Sequence, residues 1–112
     1  MNLTATKMSI ALAAFSVVST ANAADEVTTW NEVLIRATIA APATPAPYAP
    51  RIGAIVQSAV FDAINGIDRR YAPIHVHATG PRGASERAAT VKAAYATLVS
   101  LFPAQKAGLD QQ

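Results

Sequence analysis

Residues 51–71, RIGAIVQSAVFDAINGIDRRY, form the longest uninterrupted helical pattern in the chain, bracketed by proline-rich turns. Ile52, Val56, Ala59, Val60, Ala63 and Ile67 recur at helical spacing on one face. Arg51, Ser58, Asp62, Asn65 and Arg69 make a polar stripe on the other, while Ile55, Phe61 and Ile64 spill onto the flanks. A helix apolar over so wide an arc needs neighbours on several sides. Each large aliphatic side chain buried there contributes about 1.5–3 kcal/mol. The stretch therefore predicts the central helix of an all-α core.

Composition agrees with packed helices. At 112 residues the chain is one domain or part of one. It is 52% hydrophobic and 14% charged, with alanine dominant, which excludes a disordered chain. The net charge of +2 comes from scattered basic residues, with Arg69-Arg70 the single adjacent pair. A nucleic-acid surface would need a basic stripe with interleaved aromatics, and none is visible. The absence of cysteine excludes disulfides and thiolate metal sites.

The N-terminus reads as an export signal. Lys7 supplies a positive start, and residues 8–18, MSIALAAFSVV, are an uncharged apolar run. That run is shorter than the roughly 20 residues of a bilayer span but suits a signal-peptide core. Ala21-Asn22-Ala23 gives the small-x-small cleavage pattern. Residues 1–23 are thus expected to be removed, leaving 24–112 as a helical domain exported to the periplasm or beyond, without a stable membrane span.

Helices are expected at about 29–41, 51–67 and 85–101, with another starting at 103. Thr29 and Glu32 fit a capping box, with Trp30, Val33, Leu34, Ala37 and Ala41 on one face behind them. Glu32 and Arg36 pair outside. Residues 41–50, APATPAPYAP, make a stiff connector from which Tyr48 can tuck onto the core. Ser85 caps the next helix, whose stripe is Ala88, Val91, Tyr95, Leu98 and Phe102, with Thr90, Thr97, Ser100 and Glu86 on the polar side. Pro103 suits the first turn of a further helix, interrupted by Gly108 and closed by no apolar stripe. The domain is accordingly expected to be the N-terminal part of a helical bundle.

Catalytic chemistry is sparse. Asp62 lies in an apolar helix, where a buried carboxylate is a functional candidate. Its neighbours Ser58, Asn65 and Arg69 favour a hydrogen-bonded structural seam instead. Asp62 and Asp68 are too far apart around the helix to work as a pair, and Asp68 with Arg69 and Arg70 suits ion pairing at the helix exit. Residues 74–81, IHVHATGP, alternate as a short extended segment would, placing His75 and His77 on one side. Two histidines without a third ligand make no metal site. Arg82 sits in a glycine-rich turn lacking the phosphate-cradling patterns. Ser58 and Ser85 lack a nucleophile-elbow context. No catalytic, cofactor-binding or metal residue is assigned.

The run from Ala54 to Pro73, in which VFDAINGIDRRY is the distinctive phrase, resembles the N-terminal helical region of bacterial vanadium-dependent haloperoxidase-related proteins, within the phosphatidic-acid-phosphatase type 2 superfamily. The likeness extends to Trp30-Asn31, to the alanine-rich helix at residues 84–95 and to Leu101-Phe102-Pro103. It implies a helical bundle whose oxyanion pocket binds vanadate or phosphate. Such proteins hydrolyse phosphoesters or, with vanadate and peroxide, oxidise halides. The family signatures are a lysine before Arg-Pro, a Ser-Gly-His, and an arginine with a downstream histidine. Lys106 has no Arg-Pro after it, and neither His75 nor His77 lies in a Ser-Gly-His. The resemblance thus implies an inactive scaffold piece, partnered by a further C-terminal domain or by self-association through apolar helix faces. The alternative is a small exported helical binding protein without catalysis.

Overall fold

The computed structural model describes residues 23–42 and 45–112. The expected signal peptide, residues 1–23, lies outside them except for Ala23. The described residues form an all-α bundle of four α-helices, α1 (Ala23–Ala40), α2 (Ala49–Asp68), α3 (Glu86–Leu101) and α4 (Lys106–Leu109). Short 3-10 turns at Ala46–Tyr48 and Pro103–Gln105 precede α2 and α4. None of these helices is long and apolar enough to cross a membrane.

The core gathers Trp30, Val33, Leu34 and Ala37 from α1, Val56 and Val60 from α2, and Ala94 and Leu98 from α3. Phe102 and Leu109 close it from the chain's last turns. α2 and α3 form the broadest interface and α1 sits mainly on α3, so α3, rather than the expected α2, is the central helix: its small alanine side chains let both neighbours approach. Trp30 and Tyr95 meet edge to face, their ring centres 6.4 Å apart, a favoured aromatic geometry.

The first helix starts well before the expected capping box. Thr29 lies inside α1 and donates its hydroxyl to the Asp25 carbonyl at 2.9 Å. Asp25 and Glu26 occupy the first turn, where carboxylates meet the positive helix end. Glu26 also binds Arg87 at 2.6 Å, tying α1 to α3. The Glu32–Arg36 pair is loose and exposed at 4.0 Å. Tyr48 stands outside the core, 52% exposed, because residues 46–48 wind into a 3-10 turn ahead of Pro50.

The α3 cap is where the sequence places it. Ser85 accepts a hydrogen bond from the Ala88 amide at 3.1 Å. The buried stripe is rotated from the expected one, running Thr90, Ala94, Leu98 while Ala88 is exposed. Thr90 is fully buried because its hydroxyl bonds back to the Glu86 carbonyl at 2.9 Å, leaving its methyl as packing surface. The last turns carry a closing apolar residue after all, since Leu109 is buried in the core. Gln105 joins them to α1 through the Ala37 carbonyl at 2.9 Å.

Candidate functional site

The polar stripe of α2 is where the molecule's hydrogen bonding concentrates. Asp62, Asn65, Gly66 and Arg69 fall at i, i+3, i+4 and i+7, which puts them along one side of the helix. Asp62 and Asn65 are buried, and the segment 71–80 crosses over them as a strap. One carboxylate oxygen of Asp62 accepts the Ile74 amide at 2.7 Å. The other accepts the amides of His75 at 2.8 Å and Val76 at 2.7 Å. Asn65 donates to the Tyr71 carbonyl at 2.8 Å and accepts the Tyr71 amide at 2.9 Å. Arg69 donates to the Gly80 carbonyl at 2.8 Å, and the Gly80 amide bonds the Gly66 carbonyl at 3.0 Å.

The backbone fits this fastening closely. A Cβ on Gly66 would sit 2.8 Å from the Ala78 carbonyl oxygen, so the strap crosses where a side chain is missing. Arg69 ends α2 with φ 57°, in the left-handed region, its amide bonded to the Asn65 carbonyl. A non-glycine residue there costs roughly 1–2 kcal/mol, offset by the side-chain bond to Gly80. Arg70 holds Asp68 at 3.3 Å, as expected at the helix exit, whereas Arg69 turns to the Gly80 carbonyl instead of joining that pair.

Electrostatically, Asp62 is an anchor rather than a base. The Val76 amide, joined by those of Ile74 and His75, holds its carboxyl below the usual carboxylate range against the opposing effect of burial. Three of its roughly four lone-pair sites are taken by strap amides, and the carboxylate lies at one end of a groove along α2. The seam reading of Ser58, Asp62, Asn65 and Arg69 therefore describes the latter three well. Ser58 lines a groove of about 500 Å³ together with Asp62 itself, Arg51, Ile55, Ile74, His75 and Thr97.

The two histidines do not converge. The strap has no strand structure, and both imidazoles are exposed. His75 borders the α2 groove, whereas His77 borders a separate hollow beside Asn65 and Arg69. Consecutive amides turned toward one carboxylate prevent the regular alternation that the sequence suggests. Among the described residues, no three His, Cys, Asp or Glu side chains gather as metal ligands.

A second polar cluster lies at the chain's last turns. Tyr95 donates to Asp110 at 2.5 Å, and Lys106 binds the other oxygen at 2.6 Å. The contact with Asp110, then that with Tyr95, raises the Lys106 pKa. Lys106, followed by Tyr95, lowers that of Asp110. This pins α4 onto α3 and contains no nucleophile paired with a base. Ser85 is committed to its cap, and Arg82 makes no ion pair among the described residues.

No family model, curated protein or solved structure matches the chain.

Proposed function

We propose that this chain supplies scaffold helices of an exported protein resembling the vanadium-dependent haloperoxidases and type 2 phosphatidic-acid phosphatases, without chemistry of its own. Asp62 carries the reading: the best-placed acid in the molecule accepts three strap amides. An oxyanion site needs several cations and a histidine converging on one tetrahedral group. Arg51 and His75 are the basic residues at the main groove, short of such a set. In this reading vanadate or phosphate binds elsewhere in the full-length protein, and this bundle holds its shape.

The test uses the purified chain with an aryl phosphate, and separately with bromide, peroxide and vanadate. Both assays are expected to match a heat-treated control. Turnover above that control overturns the scaffold reading. Export is tested by sequencing the mature N-terminus recovered from the periplasm, with Ala24 expected first.

A second reading, a small exported helical binding protein, is favoured by one observation. The described residues close a continuous core of their own, from Trp30 to Leu109. A monomer that unfolds cooperatively supports this self-sufficiency; a molten state with dye-binding apolar surface opposes it.

A further inference from the structure

The strap turns its polar atoms inward and its apolar side chains outward. Tyr71, Ile74 and Val76 are 67%, 60% and 50% exposed, while their backbone groups are fastened to α2. Leaving such side chains in water forgoes the burial that ordinarily orders a loop. Here hydrogen bonds to Asp62 and Asn65 do the ordering, so an apolar surface is held in place in advance. Ile55 faces the same groove and is 40% exposed. Ala54, Ser58 and Ala59 keep the groove shallow-sided with small side chains. Thr97 closes its far side, its hydroxyl bonded to the Ala93 carbonyl at 2.7 Å.

Shape and charge specify what fits. The groove follows α2 from Arg51 to Asp62, about 16 Å at 1.5 Å per residue, or three helical turns. Arg51 sits at the end nearest the positive pole of α2 and has no ion pair among the described residues. No acid of this chain is available to it. Glu26, Glu32, Asp68 and Asp110 pair with other cations, and Asp62, at the far end of the groove, accepts three strap amides. Glu86 opens α3 about 16 Å from Thr97, and Asp25 lies at that same end, beside the Glu26–Arg87 bridge.

We propose that this groove docks an amphipathic helix carrying a carboxylate at the Arg51 end, its apolar residues at i, i+3 or i+4 and i+7 meeting Ile55, Ile74 and Val76. A second copy presenting this same stripe is a poorer occupant, because it brings another Arg51 and its one acid there, Asp62, is already held by three strap amides. The proposal rests on the scaffold reading for its non-catalytic surface, yet the two fail separately: one through turnover, the other through binding.

The experiment measures fluorescence anisotropy of two labelled helical peptides of about 16 residues against the full chain. Both carry the same leucine stripe; one has Glu flanking it at each end, the other Lys. The Glu peptide is expected to bind at least about tenfold tighter. Arg51→Glu should reverse that preference. Ile55→Asp and Ile74→Asp, at exposed positions, should abolish binding while the circular dichroism melting midpoint stays in place. Equal affinity for both peptides, indifference to Arg51→Glu, or binding of neither peptide overturns the proposal. So does a dimer in sedimentation that Ile55→Asp splits, since it makes a second copy the occupant.

Discussion

Gly53 and Gly66 share α2 and differ in what surrounds them. Nothing lies within 4 Å of a Cβ built on Gly53, whereas one on Gly66 meets the Ala78 carbonyl oxygen at 2.8 Å. Helix propensity alone favours alanine at both by about 0.5–1 kcal/mol. At Gly66 the neighbour is backbone, fastened nearby by the Gly80 amide, and cannot swing aside. Gly53→Ala is therefore expected to raise stability by about 0.5–1 kcal/mol, and Gly66→Ala to lower it by about 1–3 kcal/mol, both read from urea midpoints. Sequence alone shows two helical glycines; the opposite signs come from a strap more than ten residues downstream.

The strap is the element whose behaviour depends most on one side chain. Asp62 has a lowered folded-state pKa, so its contribution is present above the unfolded value of about 3.9 and fades as pH falls from there through the folded value. Hydrogen-exchange protection of the Ile74, His75 and Val76 amides should stay level from neutral pH down to about 4 and drop below that. Asp62→Asn should remove this protection at neutral pH, because the amide NH2 presents a donor to donors. α2 should remain protected in the same sample. Protection unchanged by the substitution would mean the strap is ordered by something other than this carboxylate.

Elements were legible in the sequence to different degrees. The apolar faces of α1 and α2 are strong, and Trp30, Val33, Leu34, Ala37, Val56 and Val60 are buried as their periodicity requires. α3 is alanine-rich on every side, so its pattern does not distinguish one face from another. Thr90 is fully buried while Ala88 is exposed, the reverse of the polarity order. The start of α1 differs from the expected one because Thr29 and Glu32 satisfy a capping spacing, whereas the helix begins at Ala23, well before Thr29, with Asp25 and Glu26 in its first turn. The alternation IHVH gave no sign of the outward presentation of Ile74 and Val76, because all four side chains of residues 74–77 are exposed and their order is set by what the amides bind.

At the scale of the molecule, Ala94 and Leu98 are the hub, both fully buried where α3 meets α1 and α2. Leu98→Ala is expected to cost about 2–5 kcal/mol. Loss of stability without loss of cooperativity in urea, followed by circular dichroism and by Trp30 fluorescence together, is the expected result. Two separated transitions would instead divide the bundle into independent parts.

By itself the sequence determined the all-α class, the helical run and apolar face of α2, the Ser85 cap and the polar character of the Asp62–Asn65–Arg69 stripe. These follow from periodicity and local hydrogen bonding, which act over one or two turns and are written in neighbouring residues. Only the tertiary structure decided that Asp62 is an anchor, that the histidines part, that Leu109 closes the core and that the strap faces its apolar side chains to solvent. Each of those depends on which distant backbone group reaches a given side chain, and local spacing carries no record of that.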